Sequence, residues 1–265
     1  MDFVFQAEGL TKRYGNFQAL DGLSMHVQEG AIYGFVGRNG AGKTTLIRLL
    51  CGLQEPSSGS FTLFGIQSGS RDMADARRRI GAVVETPALY TDMTAEENLR
   101  QQYLILGLPS FEGIPDLLKL VGLEKTGRKK VRHFSLGMKQ RLGIALALSG
   151  DPDFLVLDEP ANGLDPQGIV EIRELILKLN RERQVTFLIS SHILDELSRL
   201  APITASLTTA TWSENSMPGS WRLNAASACA WKSAILLSWP GYLTAWVWII
   251  RSSPIPLRTS MPGSM

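Results

Sequence analysis

The sequence predicts an α/β fold, in which helices flank a mainly parallel sheet, with an antiparallel β portion beside it and a helical subdomain over about residues 86–150. Three observations carry this. Short apolar strands alternate with helical stretches through most of the chain, the order that builds a parallel sheet covered on both faces. Two early segments instead alternate apolar and polar residues, as half-buried antiparallel strands do. Between Val84 and Phe154 the periodic segments are all helical.

Phe3–Leu10 and Ala19–Gln28 are the two alternating segments. Gly30–Gly37 is a short apolar run ending in glycine, the pattern of a buried strand entering a loop, and Thr44–Cys51 continues as a helix. Ser60–Phe64 and Ile80–Val84 read as further strands. Thr94–Leu106 reads as a helix opened by a Thr-x-x-Glu capping box at Thr94 and Glu97. Ile114–Val121 and Leu136–Ser149 are the next helices. Phe154–Leu157 is a buried strand, Pro166–Asn180 a helix, Val185–Ser190 a strand and Ile193–Leu200 a helix.

Composition narrows the function classes. A chain of 265 residues with 44% hydrophobic and 20% charged residues is globular and long enough for one large domain or two small ones. A net charge of +2 gives no reason to expect nucleic acid as a partner. Two distant cysteines, Cys51 and Cys229, form neither a disulfide framework nor a zinc motif. The opening residues lack a secretory pattern, so the chain is expected in the cytosol.

Gly37-Arg38-Asn39-Gly40-Ala41-Gly42-Lys43-Thr44 fits G-x-x-x-x-G-K-[ST] between a strand and a helix. Such a loop turns backbone N–H groups inward around phosphate oxygens, and the following helix adds its positive dipole end. Lys43 is expected on the β/γ-phosphates of ATP, with the Thr44 hydroxyl on Mg²⁺ and Thr45 beside it. A chance glycine-rich turn would lack this context. The fold class is therefore that of a P-loop NTPase. Phe154–Leu157 ends in Asp158-Glu159, two carboxylates delivered to the sheet edge beside the loop. Asp158 is expected to hold Mg²⁺ and Glu159 to orient or deprotonate the attacking water. His192 ends another apolar strand at the same edge. A lone histidine there is more often structural, but the neighbouring carboxylates favour a catalytic place.

In this order, Tyr14, the P-loop, Phe134-Ser135-Leu136-Gly137-Met138-Lys139-Gln140-Arg141, Asp158-Glu159, Gly163-Leu164-Asp165-Pro166 and His192 resemble the nucleotide-binding domain of an ABC transporter, over roughly residues 2–200. A GTPase reading fails for want of an N-K-x-D motif, and a kinase reading leaves Ser135–Arg141 and His192 unexplained. The resemblance implies that Tyr14 stacks on adenine and that His192 contacts the γ-phosphate and orders the water. It also implies that Ser135, Leu136 and Gly137 cap the γ-phosphate held by an opposite subunit, while Asp165 crosses that interface. Two ATP molecules would then lie between head-to-tail subunits docked on a separate membrane-spanning permease at the inner face of the membrane. The alternatives are a soluble ATPase of this family acting on ribosomes or nucleic acid, and an inactive truncated remnant.

Two departures from the family pattern stand out. The signature is usually L-S-G-G-Q, whereas Phe134, Leu136 and Met138 replace three of its residues here. Where a glutamine usually follows the strand near residue 84, this chain has Glu85, which could still approach Mg²⁺ and act in catalysis but adds negative charge near Asp158 and Glu159. Both departures are similar to the bacitracin- and lantibiotic-resistance branch, which implies export of an antibiotic or peptide.

Residues 201–265 read as an anomalous tail. All six tryptophans lie in it, and after Ala201 nothing recognisable continues the fold. Ser233–Ile250 is uncharged and long enough for a membrane segment, but Pro240-Gly241 interrupts it. Out-of-frame translation fits better. In the shifted frame Ser206, Leu207, Trp212 and Ser213 become apolar codons, Ala205 and Ala210 can become glycine, and a strand–turn–strand pattern returns.

Overall fold

A computed structural model describes residues 2–193 and 203–207 of the chain. Two sheets share the work. β1 (Phe3–Tyr14), β2 (Phe17–Gln28), β4 (Ser58–Leu63) and β5 (Ile66–Gln67) form an antiparallel sheet in the order β2-β1-β4-β5. β3 (Ile32–Gly37), β6 (Ile80–Val83), β7 (Phe154–Asp158), β8 (Thr186–Ser191) and β9 (Ile203–Leu207) form a parallel sheet in the order β6-β7-β8-β3-β9. The helices are α1 (Lys43–Leu50), α2 (Met73–Arg78), α3 (Ala95–Leu106), α4 (Ile114–Leu120), α5 (Leu136–Leu148) and α6 (Pro166–Arg183).

β3, β7 and β8 are buried on both faces, which is why they read as continuous apolar runs rather than alternating ones. Tyr33, Phe35, Phe154, Val156 and Leu188 face a core shared with α1 and the antiparallel sheet. Ile32, Val36, Leu155, Leu157, Phe187 and Ile189 face the opposite way, into a core built with α3–α6. The period of two thus divides one sheet between two cores. Burial raises the Tyr33 hydroxyl to about 12, so that ring stays neutral within the first core.

The α/β class, the parallel and antiparallel portions and the helices between β6 and β7 agree with the sequence expectation. At α3 the capping box forms: the Thr94 side chain accepts from Glu97 N at 3.2 Å, and Glu97 accepts from Thr94 N at 2.7 Å. Those bonds to Thr94 hold the exposed Glu97 carboxyl below its ordinary pKa. Sequence patterning missed β5 and α2, two and six residues long, which are too short to show a period.

The expectation that nothing after Ala201 joins the fold is corrected by β9. Its residues pair in parallel with β3, Tyr33 opposite Ile203 and Gly37 opposite Leu207. Main-chain hydrogen bonding needs only an extended segment, and the β-branched pair Ile203-Thr204 favours one. The anticipated helix over Ile193–Leu200, the out-of-frame reading of the rest of the tail and the segment Ser233–Ile250 lie outside the described residues, apart from Ile193 itself.

Candidate functional site

The site lies where β3, β7 and β8 end side by side, at the carboxyl edge of the parallel sheet. β3 runs into the loop Gly37–Gly42, and α1 begins at Lys43. Gly42 is the N-cap of α1, with φ 94° and no side-chain cap. A Cβ there would lie 2.2 Å from the Ala19 carbonyl oxygen, so both the left-handed backbone and the close approach of β2 require glycine. An uncapped helix start of this kind leaves its first N–H groups for an external anion.

Lys43 is buried at 5% exposure, and its ammonium donates to the carbonyls of Gly37 at 2.6 Å and Arg38 at 3.2 Å. It also lies 3.2 Å from Glu159 Oε1. Those contacts aim the charge into a cleft lined by Tyr14, Asn39, Gly40, Thr44, Thr45 and Glu159, among others. Within the loop Ala41 N donates to Arg38 O at 3.0 Å, and Gly37, Arg38 and Ala41 are not among the residues that line the cleft.

At the end of β7, the buried Asp158 accepts from Thr44 Oγ1 at 2.8 Å. A hydroxyl and a carboxylate this close form a hard-oxygen pair of the kind that suits Mg²⁺, which keeps its other positions for water and phosphate. The next residue turns sharply: Glu159 has φ 49°, a left-handed conformation that a non-glycine residue adopts at a cost. Ser190, directly opposite Asp158 in the sheet, holds that turn. Its hydroxyl donates to Asp158 Oδ1 at 2.5 Å and accepts from Glu159 N at 2.8 Å. Glu159 N also donates to the Ser190 carbonyl at 3.1 Å. His192 Nδ1 sits 3.0 Å from Glu159 Oε2, so the carboxylate is held between Lys43 and His192.

Ser190 is the site residue that sequence reading left without a role. A parallel β7–β8 pair one strand from the loop places it against Asp158, so strand adjacency was the signal available. Ser190→Ala removes both hydroxyl bonds and leaves a buried carboxylate oxygen short of a donor, a loss of about 1–3 kcal/mol. The melting temperature is expected to fall by roughly 3–10 °C, read by calorimetry.

Tyr14 lines the cleft, and its hydroxyl donates to the Gln54 side chain. Glu85 does not join the cluster. It too has positive φ, 59°, and its carboxylate pairs with Arg48 of α1 at 2.5 Å. The arginine meets the added negative charge that distinguishes Glu85 from a glutamine. Ser135 and Asp165 act as helix caps here, accepting from Met138 N at 3.2 Å and Gly168 N at 3.1 Å. Leu136 packs towards Gly163, and Leu164 towards Gly137, so the two segments form one patch of residues that do not line the cleft. At the C-terminal end of α1, burial pushes the Cys51 thiol up to about 11, despite the opposing Arg77 charge, so it is protonated at neutral pH.

The sequence profile of the ABC transporter family matches residues 20–162. A bacitracin transport ATP-binding protein of Bacillus licheniformis is 49% identical over 200 residues, covering 76% of this chain and 65% of that protein. A lantibiotic transport ATP-binding protein of Streptococcus pyogenes is 42% identical over 198 residues, covering 75% of this chain and 84% of that protein. Among solved structures, the cbiO1 component of a Clostridium perfringens ABC transporter complex superposes with a TM-score of 0.71 at 29% identity, covering 78% of this chain and 85% of that one. The dimeric cassette MJ0796 gives 0.69 at 25% identity, covering 77% and 94%. The chain spans about two thirds of the length of its bacitracin-transport relatives, 65% of the protein from B. licheniformis. Both the family and the branch anticipated from the motifs agree with these relatives.

Proposed function

The chain belongs to the ABC transporter family, and from that membership we propose that it binds and hydrolyses ATP to drive export of an antibiotic or peptide through a separate permease. The observation that carries the reading is the convergence of Lys43, Thr44, Asp158, Glu159 and His192 at one sheet edge. No helix among the described residues is long and apolar enough to cross a membrane, which supports a permease on another chain. The place of action is then the inner face of the membrane, with this subunit docked peripherally.

Each residue has a task that its surroundings support. Gly37–Gly42 and the start of α1 bind the phosphates through main-chain N–H groups, and Lys43 binds the β/γ oxygens. Thr44 and Asp158 would hold Mg²⁺, which would supply neutralisation of the charge developing on those oxygens. Glu159 positions a water and accepts its proton, while His192 orients Glu159 and reaches toward the γ-phosphate. Tyr14 stacks on the base. The patch of Ser135, Leu136, Gly137 and Asp165 serves the nucleotide of a second, head-to-tail subunit, consistent with its absence from the lining of its own chain's cleft. Closure on two ATP molecules and reopening after hydrolysis would shift the permease between states.

Purified chain with and without its permease tests the reading. ATPase activity that needs Mg²⁺ and co-purification with a membrane protein are expected. Co-purification with ribosomes or nucleic acid, or no turnover in either preparation, would count against it.

Glu85→Gln is expected to keep ATP hydrolysis within about tenfold of the parent chain, since the carboxylate pairs with Arg48 outside the Lys43, Asp158 and Glu159 cluster. Loss of the exposed pair with Arg48 should cost little stability, because such pairs contribute about 1 kcal/mol or less. Steady-state turnover checks this, and a collapse would show that the carboxylate is specifically required.

A further inference from the structure

The tip of the β1–β2 hairpin presents two aromatic side chains to the cleft. Tyr14 and Phe17 are cross-strand partners joined by Gly15-Asn16, with Gly15 at φ 56° supplying the left-handed residue that so short a connection needs. Directly opposed residues place their side chains on the same face of a sheet. One rung back, Arg13 and Gln18 oppose each other, and successive rungs face opposite sides. Arg13 donates to Gln18 Oε1 at 3.1 and 2.8 Å, and Gln18 donates to Asp21 at 2.6 Å. That polar face pins the register which turns both rings toward the cleft.

The two rings are not equivalent. Tyr14 is anchored by Gln54, with the Lys12 ammonium 5.4 Å from its ring centroid and itself donating to the Glu55 carbonyl at 2.6 Å. Phe17 is 60% exposed and, among the described residues, makes no ring contact, yet it lines the same cleft as Tyr14, Lys43 and Thr44. A scattered exposed apolar side chain needs no explanation. One that shares a rung and a cleft with an anchored tyrosine has a geometric one.

We propose that Phe17 is a second base-stacking residue, forming with Tyr14 an aromatic pair at the cleft mouth that selects a purine over a pyrimidine nucleotide. This rests on the nucleotide-binding reading above. A bicyclic base offers more stacking area to two rings than a monocyclic one, and aromatic stacking reads area rather than hydrogen-bonding pattern. The pair therefore separates ATP from CTP, while doing little to separate ATP from GTP.

Calorimetric titration of the parent chain, Phe17→Ala and Phe17→Tyr with MgATP, MgCTP and magnesium tripolyphosphate tests the assignment. Phe17→Ala is expected to weaken MgATP by about tenfold, to leave tripolyphosphate unchanged and to narrow the ATP-to-CTP ratio. Phe17→Tyr restores the parent values. ATP affinity unchanged in Phe17→Ala, or an equal loss for ATP and tripolyphosphate, overturns the stacking role and leaves nucleotide binding standing. A parent chain that binds neither ATP nor tripolyphosphate overturns the underlying reading instead.

Discussion

Glu159→Gln is expected to lower ATP turnover by about 10²–10⁴-fold while MgATP affinity stays within about threefold, the loss that follows when a general base is removed and its shape kept. The substitution preserves size and both contact directions: an amide oxygen can still accept from Lys43, now 3.2 Å away, or meet His192 at 3.0 Å. The main-chain N–H of residue 159 keeps its bonds to Ser190, so the sharp turn at φ 49° persists. What disappears is the ability to take a proton from water. Single-turnover hydrolysis and equilibrium binding separate the two effects. If one tenth or more of the turnover survives, the base is another group, and His192 becomes the residue to replace next.

The loop and the carboxylates of this site were legible in the sequence because their chemistry dictates spacing. A loop that would cradle phosphate through its backbone calls for left-handed glycines, as at Gly40 (φ 82°) and Gly42 (φ 94°), and a buried strand that ends in Asp158-Glu159 brings carboxylates to the same edge. Contacts set by tertiary approach left no such mark. Ser190 acquires its role only because β8 lies beside β7 in register with Asp158. Arg48 meets Glu85 because the P-loop helix passes close to the end of β6, and no sequence interval encodes that. Phe17 falls between the two strands expected from the sequence and carries no signal there until the hairpin register sets it opposite Tyr14. β9 was hidden by the composition around it, since a short extended segment joins a sheet through its backbone whatever the surrounding chain looks like.

Lys43→Met is expected to weaken MgATP binding by about 30- to 1,000-fold, with turnover falling at least as far, because a charge-assisted contact to phosphate is lost from a desolvated position. The Lys43 side chain is 5% exposed and its ammonium is already held by the carbonyls of Gly37 and Arg38, so it is pre-aimed and gives up little freedom when a phosphate arrives. Methionine fills the same channel with comparable length and no charge. It also removes the cation beside Glu159, leaving that carboxylate with His192 as its remaining partner and the Asp158 carboxylate on the adjacent residue. The two effects point the same way for catalysis but separate in measurement. Affinity for ATP reports the lost phosphate contact, whereas the melting temperature of the nucleotide-free chain reports the altered carboxylate surroundings. Lys43→Arg should not rescue, since a planar guanidinium does not fit a channel shaped for a compact ammonium between two carbonyls. Calorimetric affinity within threefold of the parent chain in Lys43→Met would show that the loop's main-chain N–H groups hold the triphosphate without it.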